Sequence, residues 1–205
     1  MNGLIKKLNS VLNRSNSRPQ LRMVFPELMR TPDDSVLPKG FRSRCYREED
    51  RNRWLNLLIE NGELGSWNRE RFLQILSGQP VYSGQQFVFH GDNIVACAGA
   101  YMRPHNGSQS WEIGWIATDP NYFGMGLGYH VIIRAIRFAR FHRPYPIFLL
   151  TDDFRIPAIS LYLKIGYYPS ALSEKKIISR WMKIVNELKD PEAEKLTKYI
   201  KNRHN

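Results

Sequence analysis

This sequence is poor in cysteine and in acidic residues and has no long hydrophobic run, and each shortage excludes a class of protein. The 205 residues include two cysteines, Cys45 and Cys97, too few for a disulfide-rich scaffold and without metal-binding spacing. Both lie in apolar, strand-like segments, which is typical of reduced, buried thiols in a cytoplasmic protein. No apolar run approaches the roughly 18 residues of a membrane span. We therefore predict neither a metal site nor a membrane span.

The shortage of acidic residues makes the chain strongly basic. Nineteen Asp and Glu oppose 30 Lys and Arg, which gives a formal net charge of +11. A basic protein favours anionic partners, such as the phosphates of a nucleotide, nucleic acid, an acidic protein or a membrane surface. The sequence has no recognisable helix-turn-helix, zinc-finger or ribonucleoprotein motif, so we predict no specific nucleic-acid binding.

The distribution of apolar and basic residues divides the chain into a domain with two extensions. Residues 1–39 are rich in Lys and Arg, with apolar residues at helical spacing from Leu4 to Leu12. They predict a basic, partly helical N-terminal extension outside the core; a helix packed on the domain, a transit peptide and a surface-binding amphipathic helix stay open. Residues 40–172 form the predicted domain, in which His90 to Asn93 predict a hairpin turn between two strands and 103–110 predict a polar loop. Residues 173–205 have apolar residues at three- and four-residue steps and predict a helical C-terminal extension packed on the domain.

The residues between Trp111 and Gly128 predict a buried strand, followed by a turn that leads into a helix. Asp119-Pro120 ends the predicted strand, because proline has no N–H to donate to a neighbouring strand. An apolar segment over 129–140 predicts a largely buried helix. The residues expected on one apolar face of the strand are Trp111, Ile113, Trp115 and Ala117, and the glycines of the turn are Gly124, Gly126 and Gly128.

A glycine-spaced turn at the start of a helix is able to bind an anion. The first N–H groups of a helix lack intrahelical acceptors, and the helix dipole makes this end positive. A tight strand-to-helix turn that needs positive φ explains the same glycines without any ligand. The spacing is neither that of a P-loop nor the G-x-G-x-x-G of a dinucleotide-binding fold.

Two segments in the right order resemble the GNAT N-acetyltransferase superfamily. Thr118-Asp119-Pro120 stands for the V-x-P that ends a family strand, and 121–128 stands for the pyrophosphate-binding turn, with Phe123 where Arg or Gln is usual. The stretch from Arg155 to Tyr167 is similar to the later unit N-x-x-A-I-x-L-Y-x-x-x-G-F, with Arg155 in place of Asn. The resemblance covers about residues 40 to 170. It implies a mixed α/β (α+β) GNAT fold, with a central, mostly antiparallel, twisted sheet of six to seven strands flanked by helices.

The resemblance also implies a donor substrate, acetyl-CoA, and a site for it. The backbone of 116–118, at the end of the central strand, would pair with the pantetheine arm. An N–H near Ile116 would face the thioester carbonyl. The glycine turn would hold the pyrophosphate. The implied cofactor-binding residues are Ile116, Ala117, Thr118, Phe123, Gly124, Met125, Gly126, Leu127, Gly128 and Arg155.

Two residues match catalytic positions of the family. Tyr162 stands where a tyrosine often acts as general acid toward the CoA thiolate, although a tyrosine packed against a strand fits the same place. Glu112 lies on the predicted strand face shared with Gly114 and Ile116, where several family enzymes have a general-base glutamate. Alternatively, Glu112 simply pairs with an arginine.

Other polar residues could contact the acceptor. Asp152 and Asp153 either attract a cationic amine or cap the helix that follows them. Glu63, Trp67 and Tyr82 are candidate acceptor contacts in the region that flanks the acceptor cleft in the family.

The function implied is that of an acetyl-CoA-dependent N-acetyltransferase. It would move the acetyl group directly to a primary amine of a small molecule, with a protein amine less favoured. The alternative from another class is a catalytically inactive binding protein on a GNAT frame, for nucleic acid or another anionic partner. The loops over 60–85 and 101–110 carry no motif that indicates the identity of the acceptor amine. The sequence is compatible with a homodimer.

Overall fold

The computed structural model describes residues 19–77, 84–105, 108–143 and 146–202. The chain divides into two compact units, a first unit of Glu27–Ile147 and a second unit of Met1–Pro26 with Phe148–Asn205. Both units combine strands and helices, and the described residues contain seven strands in all. The strand pairs whose register is defined are antiparallel. The expected mixed, mostly antiparallel fold class is therefore confirmed.

The strands are β1 (Leu21–Phe25), β2 (Phe41–Cys45), β3 (Gln85–His90), β4 (Asn93–His105), β5 (Ser108–Thr118), β6 (Ile147–Thr151) and β7 (Tyr168–Pro169). The helices are α1 (Arg51–Asn61), α2 (Arg69–Ser77), α3 (Leu127–His142), α4 (Ile156–Ile165), α5 (Lys175–Val185) and α6 (Glu192–Asn202), with 3-10 turns at Glu48–Asp50 and Pro120–Tyr122.

The first unit is an antiparallel sheet with a helix layer on each face. Strands β2, β3, β4 and β5 are neighbours in that order. One face, which we call the α1 face, carries Phe87 and Ala117 in a cluster with Trp54 of α1. The other face, which we call the α3 face, carries Trp111, whose ring centre lies 6.2 Å from that of Phe138 in α3. Full burial of a side chain of this size contributes about 1.5–3 kcal/mol.

A β-bulge divides β5 between these two faces. Cys97 lies opposite Ala117, whereas Gly99 lies opposite Gly114, so the two residues 115–116 of β5 oppose a single residue of β4. The extra residue interrupts the alternation of side chains, because strand faces repeat with a period of two. The part of β5 after the bulge is therefore shifted by one face relative to the part before it.

The expected single apolar face of β5 is wrong for this reason. Ile113 lies opposite Ala100, on the α3 face with Trp111. Trp115 and Ala117 instead pack into the cluster on the α1 face. Strict alternation, on which the prediction depended, holds only up to the bulge.

The hairpin of β4 and β5 is longer than the sequence predicted. A polar loop was expected over 103–110, but Arg103 pairs with Ser110 and Pro104 with Gln109. Strand β3 begins at Gln85, opposite Gly99, so in the described residues it does not extend beside Pro104, where proline's missing N–H would cost a hydrogen bond. The extension holds Arg103 in register with the polar end of β5.

The second unit contains a strand, β1, within the predicted N-terminal extension. Strand β1 pairs antiparallel with β7, with Met23 opposite Pro169. Leu21, Met23 and Phe25 of β1 are at most 3% exposed. Arg22, between them, lies with its guanidinium carbon 3.9 Å from the centre of the Phe148 ring. The expectation that residues 1–39 lie outside the core is therefore wrong for β1. Its alternation of buried and partly buried side chains was not recognised among the surrounding basic residues.

The remaining parts of the two predicted extensions have different outcomes. The helix expected from Leu4 to Leu12 lies outside the described residues. Two helices, α5 and α6, occupy the C-terminal segment, and Trp181 and Leu196 are fully buried in them. Among the described helices, none has the length and apolarity needed to cross a membrane. The domain boundaries near residues 40 and 172 stay predictions.

The two thiols differ in environment. Cys97 is fully buried, and burial raises the pKa of its thiol to about 12, so the neutral form dominates near neutral pH. Cys45 is exposed, at the end of the edge strand β2. The prediction of two buried thiols is therefore wrong for Cys45, because an edge strand has no neighbour to cover its outer side.

Candidate functional site

The turn between β5 and α3 is held by its own polar groups. The Asp119 carboxylate accepts a hydrogen bond from the N–H of Asn121 at 2.9 Å, which fixes the 3-10 turn that begins at Pro120. Gly124 and Gly126 then have φ of +80° and +76°. This left-handed conformation is one that glycine adopts without the steric cost of a side chain. It brings the chain abruptly into the first turn of α3.

The start of α3 is open to a ligand. Gly126 is the N-cap residue, and in the described part of the chain no side chain caps the helix. A Cβ placed on Gly124 or Gly126 would meet no described atom within 4 Å. The first N–H groups of the helix have no intrahelical acceptors and sit at the positive end of the dipole. A pyrophosphate therefore fits this site in charge and in hydrogen bonding.

The other predicted residues of the turn take two positions. Phe123 and Met125 are 56% and 41% exposed beside the glycines. Leu127 and Gly128 already belong to α3, which begins two residues before the predicted start at 129. Both contribute first-turn N–H groups, so the predicted turn and the helix start form one continuous segment with accessible donors.

The end of β5 is anchored where the family would bind the pantetheine arm. Asn61 donates a hydrogen bond to the Thr118 carbonyl at 3.0 Å, and the Cys97 thiol donates to the Trp115 carbonyl at 3.1 Å. Trp115 has φ of +51°, a conformation that costs a residue with a side chain about 1–2 kcal/mol. Its ring is packed 5.0 Å from that of Trp67. The bulge thus sets the direction of the backbone at Ile116 and beyond.

Glu112 lies on the α1 face before the bulge, opposite Tyr101. Its Oε2 accepts a hydrogen bond from Arg103 Nε at 2.6 Å, so the alternative of an arginine partner is realised. The side chain is 21% exposed, which leaves it accessible from the solvent side. The expected common face of Glu112 and Ile116 is lost, because the bulge lies between them.

A pair of glycines makes room for Glu112 and its neighbours. Gly99 and Gly114 lie opposite each other, and a Cβ on Gly99 would overlap the Tyr101 hydroxyl and the Gln85 side chain. Tyr101 donates its hydroxyl hydrogen to Gln85 Oε1. Burial raises the pKa of Tyr101 well above 10, so it is a neutral phenol.

Sequence reasoning did not single out Gln85, Tyr101 or Arg103. The signal available was the hairpin turn after His90 together with the alternation of β4, which puts Tyr101 and Arg103 on one face. The missing information was the register between β4 and β5, which decides that this face is the one that carries Glu112.

Tyr162 and Arg155 belong to the second unit. Tyr162 is 4% exposed in α4, with its ring centre 6.2 Å from that of Tyr167. Arg155 is the N-cap residue of α4, and its Nε lies 3.2 Å from the Asp152 carboxylate. Both side chains therefore have fixed surroundings within this unit.

The two aspartates after β6 have arginine partners. Asp152 pairs with Arg155, and Asp153 accepts hydrogen bonds from Arg180 Nε at 3.0 and 3.1 Å. No described side chain caps the N-terminus of α4, so the capping interpretation of the aspartates is wrong. Their charge is compensated within the unit, which leaves little to attract a cationic amine.

The three candidate acceptor contacts, Trp67, Glu63 and Tyr82, have different outcomes. Trp67 is 9% exposed and packs into the cluster on the α1 face, as a core residue does. Glu63 is exposed after α1. Tyr82 lies outside the described residues.

Comparisons with known structures support the same fold. A GCN5-related N-acetyltransferase from Sphaerobacter thermophilus is 15% identical with a TM-score of 0.60, and the match covers 78% of this chain and 52% of that one. The ribosomal-protein-S18-alanine N-acetyltransferase from Escherichia coli is 16% identical with a TM-score of 0.52, covering 62% of this chain and 76% of that one. An aminoglycoside acetyltransferase from an uncultured soil metagenomic sample is 17% identical with a TM-score of 0.51, covering 62% and 88%. At these identities the likeness shows the fold alone.

Sequence comparisons give the family. A search among curated proteins finds no match to this chain. The model of the acetyltransferase (GNAT) family matches residues 43–167, which include the bulged strand, the glycine turn and Tyr162. Because this match spans more than half of the chain, the protein belongs to the acetyltransferase (GNAT) family.

Proposed function

We propose that this chain is an acetyl-CoA-dependent N-acetyltransferase that transfers the acetyl group directly to a primary amine of a small molecule. The observation that carries the proposal is the uncapped start of α3 behind Gly124 and Gly126, which suits a pyrophosphate. Membership of the family supports the assignment of that pyrophosphate to CoA.

The donor would be held mainly by backbone groups. N–H groups from Phe123 to Gly128 would bind the pyrophosphate, and the backbone of 116–118 would pair with the pantetheine arm. Arg155 would add a positive charge for the phosphates. Acetyl-CoA, when bound, supplies an acetyl group activated as a thioester.

The catalytic roles follow from the chemistry of acyl transfer to an amine. Glu112 would remove a proton from the acceptor ammonium, directly or through water, so that its nitrogen can attack the carbonyl carbon. A backbone N–H near Ile116 would stabilise the charge that develops on the carbonyl oxygen. Tyr162 would then donate a proton to the departing thiolate as the carbon–sulfur bond breaks.

The charge of the protein favours one class of acceptor. A net charge of +11 disfavours the approach of a polycation at low ionic strength. An amine that also carries a carboxylate or phosphate would be attracted instead. The small-molecule acceptor that we propose is therefore an amine with an anionic group.

The test is calorimetric titration with acetyl-CoA, followed by assay of CoA release with a panel of primary amines. We expect binding by wild type, and a Tyr162→Phe variant that binds acetyl-CoA normally but releases CoA more slowly. No binding at high micromolar acetyl-CoA would overturn the donor assignment. Binding without turnover of any amine would favour the inactive binding protein, whose affinity for arbitrary DNA should fall steeply between low and physiological salt.

A further inference from the structure

We propose that Arg103 is a positioning residue for Glu112. It binds one carboxylate oxygen of Glu112, so that the other oxygen is held beside Gly114, at the edge of the bulge. This inference rests on the proposed function, in which Glu112 is the general base. Arg103 would act on the acceptor only indirectly, through the orientation of Glu112.

The contact between the two side chains is short and defined. Arg103 Nε lies 2.6 Å from Glu112 Oε2, with side-chain exposures of 29% and 21%. A partly buried pair is screened by salt less than an exposed one. The interaction therefore restricts the rotation of the Glu112 carboxylate.

The second oxygen points toward the bulge. A Cβ placed on Gly114 would lie 3.2 Å from Glu112 Oε1, so this oxygen lies over the α1 face of Gly114, one residue before Trp115. Within the described residues, no group donates a hydrogen bond to Oε1. The carboxylate thus has one oxygen bound by Arg103 and one open to a proton, which is what a positioned base requires.

Arg103 is itself positioned by Tyr101. The guanidinium carbon lies 5.5 Å from the centre of the Tyr101 ring, and Tyr101 is fixed by its hydrogen bond to Gln85. The titratable groups that act on Tyr101 are Cys97, Glu112 and Arg103. Burial keeps Tyr101 and Cys97 neutral, so in this cluster Arg103 is the positive charge that faces Glu112.

Removal of this contact should lower kcat and leave KM nearly unchanged. Without the guanidinium, the carboxylate turns more freely, so its open oxygen is directed toward the acceptor less often. In R103M we expect kcat at neutral pH to fall about tenfold with little change in KM, because the donor site is untouched.

The experiment compares kcat and KM of wild type, R103M, R103K and R30M. R103K keeps a charged hydrogen-bond donor and should recover most of the kcat that R103M loses. R30M removes the same charge from an exposed site, since Arg30 is 88% exposed, and should leave kcat and KM unchanged. In an E112Q background, R103M should lower kcat no further, because the group that Arg103 positions is gone.

The outcomes separate this inference from the proposed function. If E112Q lowers kcat but R103M leaves it unchanged, or if R103M lowers kcat as much in the E112Q background as in wild type, the positioning role is overturned and the base role stands. If E112Q leaves kcat intact, the base role fails and this inference fails with it. Circular dichroism and acetyl-CoA titration show whether R103M is folded. If it is not, R103Q and R103K decide: a kcat lowered in R103Q and recovered in R103K supports the inference, and a wild-type kcat in both overturns it.

Discussion

The candidate site uses glycine in two regions for two different physical reasons. In the turn, Gly124 and Gly126 have positive φ, and a side chain there would meet open space. In the sheet, Gly99 and Gly114 have no positive φ, but a side chain on Gly99 would overlap Tyr101 and Gln85. The turn therefore needs the backbone freedom of glycine, and the sheet needs its small volume.

In the proposed function the two regions act in different steps. The turn leaves N–H groups accessible, which concerns the proposed binding of the donor. The glycine pair lets the Tyr101 ring lie against the sheet beside Glu112, which concerns the proposed acid–base chemistry. Substitutions in the turn should therefore change the affinity for acetyl-CoA, and substitutions around the pair should change kcat.

The largest effect is expected at Glu112. The Glu112→Gln variant keeps the volume of the side chain but cannot accept the proton, so kcat should fall about 10²- to 10⁴-fold. Its acetyl-CoA affinity, measured by calorimetry, should equal that of wild type, and the acidic limb of the pH–rate profile should disappear. An equal loss of donor affinity would mean that the two regions are not separable.

The next effect is expected in the glycine pair. Gly99→Ala forces Tyr101 and Gln85 apart, and overpacking of this kind costs about 1–3 kcal/mol of unfolding free energy. Urea denaturation measures it, and kcat should fall while acetyl-CoA affinity is kept. Gly114→Ala is the matched control. Its Cβ would lie 3.2 Å from Glu112 Oε1, so the destabilisation should be smaller. A larger loss in Gly114→Ala than in Gly99→Ala would contradict the packing argument.

A smaller effect is expected in the turn. Gly126→Val places a branched residue at a φ of +76°, which costs about 1–2 kcal/mol and should weaken acetyl-CoA binding about 5- to 30-fold. Asn tolerates the left-handed region better, so Gly126→Asn should bind more tightly than Gly126→Val in the same calorimetric titration. Equal affinities of Val, Asn and wild type would show that the turn does not bind the donor.

The smallest effect is expected at Phe123. Phe123→Arg places a positive charge beside the turn at a side chain that is 56% exposed. An exposed pair with phosphate is worth about 0.2–1 kcal/mol, so acetyl-CoA should bind at most about fivefold more tightly at low salt. The gain should vanish in high salt, and Phe123→Ala should not produce it. A gain that persists in high salt would point to a contact other than this charge.

Local patterns predicted the parts of the fold that depend on neighbours in sequence. The glycine spacing and the apolar segment after it indicated the turn and α3, and the His90 to Asn93 turn indicated the hairpin of β3 and β4. Each depends on backbone conformation within a few residues. The family resemblance was confirmed by the match over residues 43–167. It could be recognised from the sequence because its motifs lie in such local segments.

Other features depend on partners that are distant in sequence. The exposure of Cys45 follows from the edge position of β2, and the burial of β1 follows from its pairing with β7. Neither neighbour can be read from a single strand, since an alternating segment fits several places in a sheet.

The sequence by itself determined that a strand, a glycine turn and a helix follow one another, because steric limits on φ and side-chain periodicity act locally. Only the tertiary structure decided that β5 bulges at Trp115 and that Arg103 meets Glu112. Both depend on the register between β4 and β5, where a slip of one residue would move every side chain to the other face. The candidate base is visible in the sequence, but its surroundings are a property of the folded sheet.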